Sequence, residues 1–172
     1  DHLVISEVQV KGSSSHDDEF IELYNPTASG VSLSGWSIQY KSATGTTYIK
    51  YNLPADTIPS HGFYLIARTS YYTGSTTPDT TQSAFALGST GGNIYLCDST
   101  TTLTGCSDAS IVDKLGYGTG NCPETSAATV HDWSESMERK PGASDPDGGN
   151  GTDTDDNSDD FQINTSPGPQ NS

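Results

Sequence analysis

The feature that most constrains the fold is a succession of short segments rich in aromatic and branched residues, each bounded by Gly, Pro, Asn, Asp or Ser. In chain order they read LVISEVQV, EFIELYN, VSLSGWSIQY, TTYIKYNLP, GFYLIAR, AFALG, NIYLCD and SIVDKLGYG. Such runs are typical of β-strands, and no window carries the sustained apolar stripe of an amphipathic helix. Many short strands at fairly regular spacing predict an all-β antiparallel sandwich or barrel.

Charge restricts the classes of partner. The 172-residue chain has 22 Asp and Glu against 7 Lys and Arg, a formal net charge of −15. Because phosphate backbones and anionic lipid surfaces attract basic faces, nucleic acid is disfavoured as a partner. No apolar run approaches the ~18 residues of a membrane span, which disfavours membrane insertion. We expect a single domain over residues 1–172.

An acidic, glycine-rich segment occupies residues 141–160 and includes DPDGGNGTDTDDNSDD, which contains no Lys or Arg. We predict a long acidic loop that binds Ca²⁺, because hard cations take carboxylate and amide oxygens on Gly-rich turns. The predicted ligands are Asp145, Asp147, Asp153, Asp155, Asp156, Asn157, Asp159 and Asp160. The loop does not match an EF-hand, since the sixth position counted from Asp145 is Asn150 rather than Gly. The alternative is a solvated acidic linker.

Three cysteines, Cys97, Cys106 and Cys122, permit one disulfide and one free thiol. Cys97 and Cys106 flank the short segment CDSTTTLTGC, whose ends are easily joined. A Cys106–Cys122 bridge would have to connect the two ends of the candidate strand SIVDKLGY, which extends over about 23 Å. We therefore predict the Cys97–Cys106 pairing and keep the second as the alternative. A low lysine content and the glycosylation acceptors NGT and NTS favour an extracellular or cell-surface location.

Catalytic signatures are absent from the sequence. It contains no HExxH or GxSxG motif. Glycoside hydrolysis requires two carboxylates that face each other across a cleft, whereas the carboxylates of the most acidic region fall in one loop. We therefore predict that the domain is not an enzyme. The segment SYYTG presents Tyr71 and Tyr72 as a candidate exposed aromatic surface for a protein or glycan ligand.

Several blocks of the sequence, in order, resemble bacterial lamin-tail domains. VISEVQV is followed by DEFIELYNP and LSGWSIQY, and then by IPSHGFYLIA, GGNIYL, IVDKLGYG, SMERKPG and DTDDNSDDF. The resemblance covers nearly the whole chain. It implies an immunoglobulin-like β-sandwich without catalytic activity, used as a binding or anchoring module. Bacterial relatives occur in secreted or surface-attached chains, sometimes beside nuclease, phosphatase or protease domains.

The resemblance also implies that Arg139, in SMERK, belongs to the same sheet system as Glu7 and Glu22, which interrupt apolar strands. A buried carboxylate needs a cation or hydrogen bonds, so we predict a structural ion pair among these three residues. A metal-ligand role for Glu22 is the alternative.

The predicted function is therefore a non-catalytic extracellular or surface binding module, part of a larger secreted chain and stabilised by Ca²⁺ in its acidic loop. The alternative is an accessory carbohydrate- or protein-binding module of a secreted nuclease or hydrolase, in which the acidic stretch is only a linker. The acidic loop distinguishes the two hypotheses, because only the first makes the stability of the domain depend on calcium.

Overall fold

A computed structural model of the chain describes residues 2–13, 15–143, 145 and 149–172. Within these ranges the chain forms β1 (Val4–Gln9), β2 (Phe20–Tyr24), β3 (Val31–Ser32), β4 (Ser37–Ser42), β5 (Ile49–Asn52), β6 (Thr57–Ile58), β7 (Phe63–Arg68), β8 (Thr80–Gln82), β9 (Gly91–Cys97), β10 (Ile111–Gly118), β11 (Ser136–Arg139), helix α1 (Asn157–Asp160) and β12 (Phe161–Asn164).

Two sheets pack face to face as a sandwich. The six-stranded sheet has the order β12-β11-β1-β2-β7-β8, the four-stranded sheet has the order β10-β9-β4-β5, and β3 pairs with β6. The named strand pairs are antiparallel except β7 with β8, which is parallel. Ile21 and Ile66 of the first sheet share one core with Ile38, Ile94 and Leu115 of the second. The prediction of an all-β, immunoglobulin-like sandwich is confirmed.

A β-bulge in β1 determines which of its side chains reach the core. The register with β2 shifts between Ile5 and Glu7, and Ile5 and Val8 both belong to the core. Strict alternation would place these two residues on opposite faces. Ser6 and Glu7 instead both point away from the four-stranded sheet, toward the side chains of Glu22 and Ser136. We call this side of the six-stranded sheet its outer face.

The segment AFALG is not a strand, contrary to its apolar pattern. Phe85 and Leu87 are buried in the core, but side chains bind their backbone groups. The Phe85 amide donates to Gln82 Oε1, and the Leu87 amide donates to Glu19 Oε1 at 2.9 Å. Because these buried backbone groups are satisfied by side chains, they need no strand partner.

The disulfide joins Cys106 to Cys122, with their Cα atoms 5.8 Å apart, and Cys97 is a free, buried thiol. The predicted Cys97–Cys106 bridge is therefore wrong. After β9 the chain folds back along β4, where Ser99 and Thr101 carbonyls accept from side chains of Ser37 and Gln39. This return carries Cys106 to the far end of β10, where Cys122 follows the strand. The two ends of CDSTTTLTGC are therefore not joined to each other.

The predicted long acidic loop, residues 141–160, is only partly described. Ser144, Pro146, Asp147 and Gly148 lie outside the described residues, so the predicted ligand Asp147 does too. The final part of the segment forms α1, which Asp156 caps by accepting from the Ser158 amide. The loop as a whole stays a prediction.

Candidate functional site

Arg139 lies at the centre of a cluster of charged side chains between the sheets. Its side chain is fully buried, and it ends β11, whose alternate residue Met137 is also in the core. The guanidinium Nη2 donates to both oxygens of the Asp113 carboxylate, each at 2.9 Å. It also donates from Nε to the Ile5 carbonyl at 2.8 Å and from Nη1 to the Thr152 carbonyl at 2.9 Å. Arg139 therefore links both sheets to the segment after β11.

The predicted ion pair of Arg139 with Glu7 and Glu22 is wrong in its partners. Glu138 pairs in register with Glu7 on the outer face. Successive residues of a strand point to opposite faces, so Arg139 points inward and cannot meet either glutamate. The carboxylate nearest to it is that of Asp113 in β10, which is also fully buried.

Two further carboxylates complete this group, which we call the inner cluster. One carboxylate oxygen from each of Asp113, Glu124 and Asp153 lies within 4.8 Å of the others. His2 Nε2 lies 3.2 Å from Asp153 Oδ2, and this hydrogen bond lowers the pKa of Asp153 and raises that of His2. Burial, and then the charges of Asp113 and Asp153, raises the pKa of Glu124 from its ordinary value of 4.5 to about 8.

The inner cluster has more carboxylates than cations. Asp160, fully buried, adds a fourth acid at 3.4 Å from Arg139, whereas Arg139 and His2 are the basic side chains within salt-bridge distance of Asp113, Asp153 and Asp160 in the described residues. A negative excess in a partly buried site must be offset by a proton or a bound cation. The raised pKa of Glu124 is one expression of this excess.

Oxygen atoms in the inner cluster differ in how many hydrogen bonds they already accept. Asp113 accepts two from Arg139, one from the Ile5 amide and one from the Lys114 amide, which uses the roughly four acceptor sites of a carboxylate. Glu124 accepts from Asn157 Nδ2 through Oε2 alone. Asp153, with a side chain 19% exposed, faces solvent on one side. Glu124 and Asp153 are therefore the groups with capacity for a further ligand.

Most of the other predicted calcium ligands are already engaged in hydrogen bonds within the protein. Asp145 Oδ2 accepts from the Gly142 and Gly151 amides. Asn157 is fully buried; its side-chain oxygen accepts from the Gly116 and Glu124 amides, and its side-chain nitrogen donates to the Lys114 carbonyl. Asp160 accepts from the Thr154 amide and hydroxyl. Asp156 caps α1, while Asp155 and Asp159 are exposed. Of the predicted ligands in the described residues, Asp153 joins the three-carboxylate cluster.

Asp113 and Glu124 were missed by the sequence interpretation. Asp113 had a readable signal, because it alternates with Leu115 and Tyr117 on one face of the strand IVDKLGYG, and both of those are core residues. An acid at a core position of an apolar strand predicts a buried partner. Glu124 lies in an irregular segment and carries no such signal.

A second group of carboxylates, the outer row, lies on the outer face of the six-stranded sheet. Glu138, Glu7 and Glu22 are adjacent across β11, β1 and β2. Residues 165–172, which we call the tail segment, bind beside this row, and the Gln170 amide donates to Glu22. No salt bridge reaches the outer row in the described part of the chain. Burial raises the pKa of Glu7 to about 7 and that of Glu22 to about 8.

We expect the domain to lose stability as the pH rises from about 5 to 9. Glu7 and Glu22 have folded-state pKa values above the ordinary 4.5, so between these values the folded state holds more protons than the unfolded state, and stability falls with increasing pH. Each proton difference costs about 1.4 kcal/mol per pH unit. Melting temperatures measured in chelator across this range test the sign. Glu22→Gln should flatten the slope, and a stability that rises toward pH 9 would contradict the assignment.

The predicted aromatic pair separates in the structure. Tyr71 is 46% exposed, and the Arg68 guanidinium lies 5.1 Å from its ring centroid. Tyr72 turns toward the sheet and packs edge-on against Phe20, with ring centroids 6.1 Å apart. The two rings therefore do not form one flat platform.

Within the described ranges, no helix combines the length and apolar character needed to cross a membrane.

Comparisons with known proteins identify the fold and the family. A DUF4876 family protein from Bacteroides thetaiotaomicron VPI-5482 has a similar structure, with a TM-score of 0.70 and 12% sequence identity over 96% of this chain and 72% of that chain. At this identity the likeness shows the fold alone. No curated protein matches the chain by sequence. The lamin tail domain family model matches residues 1–119, which include Asp113 but not Glu124, Arg139 or Asp153. The match covers most of the chain, which therefore belongs to the lamin tail domain family.

Proposed function

We propose that this domain is a non-catalytic binding or anchoring module of an extracellular or cell-surface protein, and that a bound Ca²⁺ ion attaches its C-terminal part to the sandwich. The carboxylate excess of the inner cluster carries the calcium proposal. The membership in the lamin tail domain family and the Cys106–Cys122 disulfide support the rest, because disulfides persist in oxidising compartments.

The donor set suits a hard cation. Three carboxylates supply oxygen ligands of the kind that Ca²⁺ prefers, and Ca²⁺ tolerates irregular coordination completed by water. Glu124 and Asp153 would be the main ligands, because the oxygens of Asp113 are occupied by Arg139 and two amides. This proposed site differs from the predicted site, whose ligands all lay in the acidic loop. The two sites have Asp153 in common.

Such an ion would act as a cross-link. Glu124 follows β10 in the four-stranded sheet, whereas Asp153 lies in the segment between β11 and β12 of the six-stranded sheet. Joining them would restrain residues 149–156, which lack strand or helix structure. The ion has no catalytic role in this proposal. The domain is part of a larger secreted chain, and its partner is a protein or glycan that binds away from the calcium site.

Thermal unfolding in excess Ca²⁺ and then in chelator tests the proposal. An ion at 100 times its dissociation constant adds about 2.7 kcal/mol, and we expect a rise of roughly 5–10 °C in melting temperature for a domain of this size. Glu124→Gln should abolish the rise. Asp155→Asn is the matched control, because Asp155 is exposed in the same acidic segment and should leave the calcium response unchanged.

The competing account places a proton on Glu124 instead of a metal. In that case Ca²⁺ has no effect, and Glu124→Gln raises the melting temperature at pH 8.5 because the amide needs no proton. That pair of results would overturn the calcium proposal and return the acidic segment to a linker.

A further inference from the structure

A pocket of about 200 Å³ opens on the outer face of the six-stranded sheet. Gln9 and Phe20, which pair in register across β1 and β2, line it. The turn that carries Tyr72 forms one part of its wall, and Pro167 and Pro169 of the tail segment form another. The volume suits a single side chain rather than a large ligand.

The surroundings of this pocket are acidic. Asp18 lines it, and the described residues of its wall include no Lys, Arg or His. Asp18 is fixed by the Thr73 amide at 3.0 Å and by the Thr73 hydroxyl at 2.6 Å. Two residue pairs further along the same strands lie Glu7 and Glu22 of the outer row, which have no basic partner among the described residues. Burial, and then the negative charges of Asp18, Glu7 and Glu22, raises the pKa of Tyr72.

The Tyr72 hydroxyl has an unmet hydrogen bond. Its oxygen is buried and has no partner, and it is the one side-chain atom in that condition among the described residues. Buried polar groups are nearly always paired, and an unpaired one is costly. A Cβ added at Gly74 would lie 2.1 Å from this oxygen, so the hydroxyl packs against the Gly74 backbone in the place that a larger residue's side chain would take. The hydroxyl can accept a hydrogen bond from a donor that enters the pocket.

We propose that the pocket binds one basic side chain, arginine or lysine, of a partner polypeptide. The cationic group would donate to the Tyr72 hydroxyl and lie near the Asp18 carboxylate, while its aliphatic stem packs on Pro167 and Pro169. The Tyr72 and Phe20 rings add a cation–π contribution, and the net charge of −15 attracts a basic partner. This inference rests on the proposed binding role of the domain and not on the calcium site.

The test is an NMR titration of the ¹⁵N-labelled chain with N-acetyl-arginine-N-methylamide. We expect the amide signals of Phe20, Thr73 and Gly74 to shift. The citrulline analogue, which is neutral and nearly isosteric, should bind at least tenfold more weakly, and raising the salt concentration should weaken arginine binding.

Tyr72→Phe supplies the decisive variant. It removes only the unpaired hydroxyl, so its melting temperature should equal or exceed that of the wild type, while arginine binding falls severalfold. Tyr71→Phe is the control, because Tyr71 is exposed and does not line the pocket. Equal binding of the citrulline analogue, shifts confined to other residues, or shifts at these amides with N-acetylglucosamine but not with arginine would overturn the proposal. A negative calcium result leaves this test unaffected.

Discussion

Replacing Arg139 with methionine is expected to destabilise the domain by about 3–5 kcal/mol, because removing one partner of a buried ion pair leaves an uncompensated charge. Asp113 and Asp160 are both fully buried beside Arg139. Domains of this kind have only about 5–15 kcal/mol of stability, so the variant loses a large fraction of it. Urea denaturation at pH 7.5 and fixed Ca²⁺ concentration measures the change.

A second variant separates charge from packing. Arg139→Met combined with Asp113→Leu replaces the pair with apolar groups, and we expect it to be more stable than Arg139→Met alone. Lys140→Met is the matched control, since the Lys140 ammonium donates to the Asp159 carbonyl at an exposed position, and it should change stability by less than about 0.5 kcal/mol. An Arg139→Met variant within about 1 kcal/mol of the wild type contradicts the central role of Arg139.

Removing the disulfide is expected to cost about 3 kcal/mol, the value for closing a loop of about this length. The sequence separation of Cys106 and Cys122 is 16. The variant Cys106→Ala with Cys122→Ala should therefore have a lower urea midpoint, and adding a reductant should lower the wild-type midpoint by the same amount and leave the variant unchanged.

Peptide mapping of the oxidised protein checks the pairing directly. Cys97 is fully buried, and burial raises the pKa of its thiol to about 12. Since the thiolate is the reactive form, an alkylating reagent should modify Cys97 only after unfolding. Cys97→Ala should keep the Cys106–Cys122 peptide. Loss of that cross-linked peptide in Cys97→Ala contradicts the assignment.

The strands could be predicted because their side chains carry the pattern. Apolar residues of FIELY and FYLIAR coincide with β2 and β7 almost residue for residue. The β1 bulge could not be predicted, because it is a shift in the pairing of β1 with β2 and local alternation in β1 does not report it. The strand prediction for AFALG was wrong because side chains satisfy its backbone amides, one from nearby Gln82 and one from Glu19, which is distant in the sequence.

The inner cluster could be anticipated only in part. The sequence predicts an ion pair for Arg139, yet its partner Asp113 lies in the other sheet, and local periodicity does not indicate which strands face each other. The acidic segment is distinguished in the sequence by its composition alone. Several of its carboxylates accept hydrogen bonds from neighbouring amides, as Asp145 does from those of Gly142 and Gly151, and such local caps look the same in sequence as metal ligands.

The most direct test of the proposed cation site is a crystal structure with Mn²⁺ substituted for Ca²⁺, because carboxylate oxygens bind both ions and manganese gives an anomalous signal. We predict one anomalous peak between Glu124 and Asp153, within coordination distance of an oxygen from each. A Glu124 carboxylate with no peak beside it, or a peak only on the exposed Asp155 and Asp159, would contradict the account.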